Sequence, residues 1–259
     1  MTTNLQARTE KFFDFVGGNA LLVGQMLKEL FRKPLYFDLL AVQIENVGAK
    51  SLPLILIVAM SVGMVMALQF GIGLQKFGAN LYIPKLVSLS IIRELGPIFA
   101  SLMFAARVGA GMTSEIASMV VTQQVDAMRA LGTSPIKKIV IPRVLACLIC
   151  LPLLCVFANA IGIFGGLVVG TFDLHLAGSF YWQKVLSTVT LTDYLSGFLK
   201  TFFFALFVAI PACYYGLNVE RGTRAVGLAT TRAVVTSSIL ILVGDYFLTK
   251  VFWVIQTWR

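Results

Sequence analysis

From Val144 to Phe172 the sequence contains no charged side chain, and this uninterrupted run constrains the fold more than any other feature. A helix needs about 20 mainly apolar residues to cross the hydrocarbon core of a bilayer, so the run can span one even when tilted. Apolar side chains make up 58% of the 259 residues and charged side chains only 13%, which excludes a mostly water-facing surface. The sequence therefore predicts an integral membrane protein.

Further apolar runs of similar character are separated by short polar segments. Together they predict one polytopic membrane domain over residues 1–259 with five spans, at about 52–70, 86–106, 144–172, 194–219 and 233–252. Region 11–47 mixes aromatic and basic residues, a pattern typical of helices that lie in the membrane interface. The predicted fold is an all-α membrane protein, in which an N-terminal interfacial helix precedes five transmembrane helices.

Lysine and arginine are distributed unevenly between the segments that connect the predicted spans. Segments 1–50, 107–143 and 216–232 hold fourteen of them, whereas segments 71–85 and 173–193 hold three. Because cytoplasmic loops carry the excess of basic residues, this distribution predicts a cytoplasmic N-terminus and a C-terminus on the opposite side. The net charge of +9 is thereby explained by topology and does not require a nucleic-acid partner.

Arg93 and Glu94 stand inside the second predicted span, where charged side chains are costly and usually line a cavity or pair with other groups. As sequence neighbours they point about 100° apart on a helix, so their partners must come from elsewhere. Pro97 lacks the N–H that would bond the carbonyl of Arg93, which predicts a polar notch. Two interpretations are open: a site for an anionic headgroup, in which Arg93 binds the phosphate and Glu94 holds it or contacts an amine, or a structural ion pair, for example with Asp245.

The segment between the second and third predicted spans has a helical repeat of apolar residues, with Val121, Val125 and Met128 on one face and Gly132 able to end the helix. This pattern predicts a short amphipathic helix over about 115–131 on the cytoplasmic face. Such a helix could dock into a groove of a soluble partner, or it could rest on the membrane surface.

Small residues recur at every fourth position in three of the predicted spans, and such rows let helix backbones approach closely. The spacing favours packing within one subunit, although contact across a dimer is also open. The rows are Gly63, Ala67 and Gly71; Ser101, Ala105 and Gly109; and Gly162, Gly166 and Gly170.

The sequence contains no GxxxxGK[ST] segment, so it cannot hold nucleotide phosphates in the manner of a P-loop. The four cysteines all lie within apolar runs, and the single histidine lies in a loop. These residues do not form a metal-ligand pattern. We therefore predict no catalytic residue, no metal and no cofactor in this chain, and expect a transport subunit and not an enzyme.

Three blocks carry a family resemblance: SLSIIRELGPIFASLMFAARVGAGMTSEIASM, QQVDAMRALGTSPIKKIVIPRVLA and GLATTRAVVTSS, in that order. Through them the chain resembles the MlaE (YrbE) permease family, the membrane subunits of ABC transporters that work with MCE-domain proteins. The resemblance implies a homodimer in the bacterial inner membrane that moves phospholipid between the inner and outer membranes. It further implies a separate pair of ATPase subunits that bind ATP and Mg, a periplasmic MCE-domain ring, often a STAS-domain protein, and a periplasmic C-terminus.

The resemblance also implies roles for single residues. Arg93 and Glu94 match the RELGP element, which is associated with the lipid cavity, and Arg232 matches a basic residue at the cytoplasmic start of the fifth span. The hypothesis of lipid transport, and not the resemblance, adds candidates for the wall that meets the acyl chains near the outer end of the first span: Met66, Leu74 and Phe77. The implied ATPase-coupling residues are Glu115, Val121, Val125, Asp126, Met128 and Leu131.

Two functions from other classes also fit an apolar chain with buried charges. An ion- or proton-coupled secondary carrier could use Glu94 and Asp245 as a relay, although no internal repeat of the transporter type is evident. A membrane scaffold that transports nothing is the other alternative.

Overall fold

A computed structural model describes residues 2–30, 36–220 and 222–257, and the side chains within 13–30, 36–220 and 222–255. These residues form helices and loops without a strand, which confirms the predicted all-α fold. The α-helices are Thr2–Leu30, Phe37–Val47, Leu52–Gln75, Ile83–Ser90, Gly96–Phe104, Ala110–Val121, Gln124–Ala130, Ile141–Phe172, Gly178–Thr188, Leu191–Leu217 and Thr223–Thr257. Short 3-10 turns lie at Ala49–Ser51 and Asn80–Tyr82, and π-helical turns at Ile91–Leu95, Ala105–Gly109 and Ile136–Val140.

Within the described residues, five helical stretches are long and apolar enough to cross a membrane, which confirms the predicted number. We call them span one (Phe37–Gln75), span two (Asn80–Val121), span three (Ile136–Phe172), span four (Leu191–Leu217) and span five (Thr223–Ile255). Most extend beyond the predicted bounds, because hydrophobicity marks the part inside hydrocarbon while helical hydrogen bonding continues into the polar flanks.

The predicted interfacial region 11–47 is divided between two elements. Its first part belongs to the N-terminal helix, Thr2–Leu30, which packs Leu22 and Met26 into the core. Residues 31–35 lie outside the described part of the chain. The helix Phe37–Val47 forms the first part of span one and is joined to the helix Leu52–Gln75 by a single 3-10 turn.

Spans one and three pack backbone against backbone. A methyl group at Gly63 would lie 1.8 Å from the carbonyl oxygen of Gly162, and one at Gly165 would lie 2.4 Å from the carbonyl oxygen of Met60. Only glycine fits where two backbones approach this closely. The prediction that small-residue rows serve packing within the subunit is confirmed for these two spans.

The helix Gly178–Thr188, which we call the connecting helix, covers the end of the bundle where span two begins. Its Tyr181 is fully buried against span three, where methyl groups at Gly166 and Gly170 would meet the tyrosine ring or hydroxyl within 3 Å. Burial raises the pKa of the Tyr181 phenol, whose hydroxyl has no hydrogen-bond partner among the described residues.

The prediction of one continuous helix over residues 115–131 is wrong. Span two continues to Val121, and a separate short helix, Gln124–Ala130, follows; we call it the loop helix. Between them Gln123 adopts a left-handed conformation with φ of 61°, which turns the chain as residues at helix ends commonly do. Because glutamine is neither glycine nor proline, the residue at this position does not predict a break in the helix.

Candidate functional site

A cavity of about 850 Å³ opens at the end of the bundle where span two begins. Its wall is formed by the first turns of span two, the connecting helix, the start of span four and the end of span five. The lining residues are Tyr82, Lys85, Leu89, Arg93, Lys184, Ser187, Thr188, Thr190, Thr192, Asp193, Leu195, Ser196, Leu199, Phe252 and Ile255.

This lining combines two kinds of side chain. Three cations, one carboxylate and a set of hydroxyl groups stand beside the apolar side chains of Leu89, Leu195, Leu199, Phe252 and Ile255. A cavity with a few charged groups and a large apolar surface suits a ligand that is itself amphiphilic. We call it the amphiphilic cavity.

Arg93 and Asp193 form an ion pair on the wall of this cavity. The guanidinium Nε donates to Asp193 Oδ1 over 2.8 Å, and a second guanidinium nitrogen contacts the same oxygen. The Arg93 side chain is 46% exposed, whereas that of Asp193 is only 6% exposed. The guanidinium therefore faces the cavity while its carboxylate partner is held in the protein.

Asp193 is fixed by the start of span four. Its Oδ2 accepts hydrogen bonds from the Thr190 backbone N–H (3.1 Å) and from the Thr190 hydroxyl (2.7 Å), and the Asp193 N–H donates back to that hydroxyl (3.3 Å). This reciprocal pattern is a capping box, which stabilises the first turn of a helix. The carboxylate that pairs with Arg93 thus has a position set by backbone hydrogen bonds.

Glu94 does not line the cavity. Its Oε2 accepts a 2.5 Å hydrogen bond from Nζ of Lys200, and the same Nζ donates to Asp245 Oδ1 (3.0 Å) and to the Thr249 hydroxyl (2.6 Å). Lys200 is 1% exposed, so its charge depends wholly on these partners. We call Glu94, Lys200, Asp245 and Thr249 the Lys200 cluster.

The cavity wall and the Lys200 cluster are joined through the backbone of span two. Arg93 and Glu94 lie in the π-helical turn Ile91–Leu95, a kind of turn often found at functional sites. Pro97 has no N–H to offer the Arg93 carbonyl, and Lys200 Nζ donates to that carbonyl over 3.3 Å instead. The predicted polar notch is therefore present and is filled by a lysine from span four.

The sequence suggested an ion pair between the charges of span two and Asp245, and this pairing is wrong. Arg93 pairs with Asp193, and Asp245 and Glu94 are both bonded to Lys200. Sequence reasoning left Asp193, Lys200 and Thr249 without a role.

Two signals in the sequence could have pointed to the missed residues. Lys200 is a lone cation in an apolar span, and it balances the intramembrane charges of Arg93, Glu94 and Asp245. Thr190 and Asp193 have the spacing of a capping box just ahead of an apolar run.

The three acyl-wall candidates of span one lie elsewhere on the molecule, and none of them lines the amphiphilic cavity. Phe77 is 83% exposed, Leu74 is half-buried against the apolar cluster around Tyr181, and Met66 is half-buried. Their contact with acyl chains stays a prediction.

The opposite end of the bundle carries the predicted coupling residues. Glu115 accepts a 2.9 Å hydrogen bond from Arg143, a buried side chain at the start of span three, so this carboxylate ties spans two and three together. Val125 is 2% exposed and anchors the loop helix in the core. These two residues hold the loop in place.

The remaining coupling candidates lie on the loop helix or directly beside it, with Val121 at the end of span two. Asp126 is exposed and pairs with Arg129 over 3.1 Å, and Val121 and Met128 are half-buried. Leu131, which directly follows the loop helix, is 84% exposed. Arg232 of span five is exposed and makes no ion pair within the described residues.

Comparisons with known proteins agree with this architecture. The family described as Permease MlaE matches residues 40–251. A probable ABC transporter permease protein of Rickettsia conorii is 40% identical over 245 residues, 95% of each chain. The intermembrane phospholipid transport system permease protein MlaE of Haemophilus influenzae is 35% identical over 243 residues, 93% of this chain and 92% of that protein.

A more distant relative comes from a plant. The chloroplastic protein TRIGALACTOSYLDIACYLGLYCEROL 1 of Arabidopsis thaliana is 27% identical over 232 residues, which are 90% of this chain and 66% of that protein. The five spans, the π-helical turn that carries the RELGP element and the match over most of the sequence lead to one conclusion: the chain belongs to the MlaE family of permeases.

Proposed function

We propose that this chain is the membrane-spanning permease subunit of an ABC transporter that moves phospholipid between the inner and outer membranes of a bacterium. The observation that carries the proposal is the amphiphilic cavity, because a phospholipid has both a charged headgroup and apolar chains. The relative from Haemophilus influenzae, named as an intermembrane phospholipid transport permease, supports the same substrate class.

In this proposal Arg93 is the headgroup residue. Its guanidinium is half exposed to the cavity and can bind a phosphate with two hydrogen bonds, taking the phosphate in place of Asp193. Asp193 would then be available to the amine of a zwitterionic headgroup. Glu94 is a positioning residue, since it holds Lys200, which in turn bonds the Arg93 carbonyl.

The energy source would be a separate pair of ATPase subunits, which bind ATP and Mg. The chain contains no P-loop, and the exposed Leu131 and Asp126 of the loop region offer a surface for docking. Arg232 would supply a further polar contact on the same cytoplasmic face.

The remaining assembly follows the same proposal. The N-terminus lies in the cytoplasm, and the C-terminus and the amphiphilic cavity lie toward the periplasm, in line with the basic residues concentrated at the other end. A second copy of the chain forms the homodimer, a periplasmic MCE-domain ring exchanges lipid with the cavity, and a STAS-domain protein regulates the ATPase.

The test is mass spectrometry of the complex purified through a tag on this chain, together with an assay of lipid transfer between vesicles. We expect phospholipid and an ABC ATPase to co-purify, and Arg93→Ala to reduce bound lipid and transfer. Arg224→Ala is the matched control, since Arg224 is an exposed arginine that does not line the cavity.

A complex that holds neither phospholipid nor an ATPase would refute the proposal. Solute uptake that a proton gradient drives without ATP would instead favour a secondary carrier. A chain that assembles normally but transfers no lipid under any condition would favour a scaffold.

A further inference from the structure

Two lysines of the amphiphilic cavity take no part in the contacts described so far. Lys85 lies at the start of span two and Lys184 on the connecting helix, and both line the cavity beside Arg93. Neither makes an ion pair within the described residues. Their charges are therefore available to a ligand.

The charge balance of the cavity is strongly one-sided. Among the described lining residues Asp193 is the single carboxylate, against three cations, which leaves an excess of two positive charges on these side chains. A zwitterionic headgroup would bring a phosphate and an amine, so the excess would remain after binding. A headgroup with a net negative charge would reduce it, and attraction between opposite charges favours that ligand.

The rest of the lining distinguishes a lipid from a free anion. The hydroxyl groups of Thr188 and Thr192 can donate to phosphate oxygens near the cations, whereas those of Ser187 and Ser196 already donate to backbone carbonyls. The apolar side chains described above would have no partner if inorganic phosphate were the ligand, and they match the glycerol and acyl part of a lipid.

We infer that Lys85 and Lys184 make the amphiphilic cavity a selective site for anionic phospholipids over zwitterionic ones. This inference rests on the proposed function, because it names the headgroup class that the same cavity prefers. The two lysines are specificity residues, while Arg93 binds the phosphate that all phospholipids share.

The experiment uses the purified full complex, exposed to mixed vesicles of phosphatidylglycerol and phosphatidylethanolamine, with the bound lipids counted by mass spectrometry. We expect wild type to enrich phosphatidylglycerol, and the double variant Lys85→Gln with Lys184→Gln to lower the ratio of bound phosphatidylglycerol to phosphatidylethanolamine by about 25-fold. One unit charge at contact distance in water changes binding by about fivefold, and two lysines act together.

Two variants serve as controls. Lys85→Arg with Lys184→Arg keeps both charges and should keep the enrichment. Lys76→Gln removes an exposed lysine outside the cavity lining, at the end of span one, and should leave the ratio unchanged. Enrichment that follows charge across these variants supports the inference.

Other results would overturn it in distinguishable ways. An unchanged ratio in the glutamine double variant, with lipid still bound, would refute charge selection and leave the proposed function standing. Displacement of bound phosphatidylglycerol by inorganic phosphate would identify the site as one for free anions. Absence of any bound phospholipid in wild type would remove the inference and the proposed function together.

Discussion

Replacing Lys200 by methionine tests how the buried charges of the bundle are balanced. The substitution keeps the volume of the side chain and removes an amine that bonds Glu94 (2.5 Å), Asp245 (3.0 Å) and Thr249 (2.6 Å). Two carboxylates then remain without a cation in the interior of the bundle. We expect a large loss of stability, because an uncompensated buried charge is costly.

The magnitude follows from the exposure of the two carboxylates. Removing one partner of a buried ion pair costs about 3–5 kcal/mol. The side chain of Asp245 is only 14% exposed, whereas that of Glu94 is 34% exposed and can be partly hydrated, so the lower end of the range applies. A loss of about 3 kcal/mol lowers the thermal midpoint of a chain of this size by roughly 6–12 °C.

The assay is thermal unfolding of the purified protein in detergent, followed by tryptophan fluorescence and by loss of the monodisperse species. Adding Asp245→Asn to the Lys200→Met variant removes the more buried carboxylate and should recover at least half of the lost midpoint. Lys76→Met, at an exposed lysine with no ion pair within the described residues, should leave the midpoint unchanged. An unaltered midpoint in Lys200→Met would show that the cluster is hydrated, and the reasoning would fail.

Three further substitutions test packing, a buried hydroxyl and docking. Gly63→Ala should cost about 3 kcal/mol of stability, measured by thermal unfolding, because its methyl group would lie 1.8 Å from a carbonyl oxygen of span three. Tyr181→Phe should raise the thermal midpoint, because it removes a buried hydroxyl that has no partner among the described residues and whose burial costs about 1–3 kcal/mol. Leu131→Asp should reduce co-purification of the ATPase while leaving the midpoint unchanged, since this side chain is 84% exposed.

Each of these changes has a matched control. Gly73→Ala lies on the same helix as Gly63 with no atom within 4 Å of the added methyl group, and should be neutral. Tyr246→Phe alters a tyrosine that is 62% exposed and should not raise the midpoint. Leu186→Asp changes an exposed leucine of the connecting helix, at the opposite end from Leu131, and should retain the ATPase. Equal effects in a variant and its control would contradict the corresponding prediction.

The number of spans and their tight packing were predictable from sequence because both depend on local patterns. The length of an apolar run indicates whether a helix can cross the hydrocarbon core of a bilayer, and small residues four positions apart lie on one face of a helix. The contact between Gly63 and Gly162 follows from such rows. The ends of the helices were less predictable, because the apolar repeat of residues 115–131 does not show that its first part continues span two and that the helix breaks after Val121.

The charged site was predictable only in part. Arg93 and Glu94 are conspicuous because charges are rare at membrane depth, but their partners lie 100 and 106 residues away along the chain. Which carboxylate meets which cation depends on the rotation of spans two, four and five about their axes. The π-helical turn Ile91–Leu95 alters that rotation, and no residue pattern in the sequence predicts a π-helical turn at this position.

The two oxygens of the Asp193 carboxylate accept hydrogen bonds from different partners. Oδ1 meets only the guanidinium of Arg93, and Oδ2 meets only Thr190 at the start of span four. Withdrawal of the guanidinium would therefore leave every bond that winds the first turn of the helix intact. If the cavity takes up phospholipid as proposed, Arg93 can exchange Asp193 for a phosphate without unfolding the first turn of span four, because the hydrogen bonds from Thr190 stay in place.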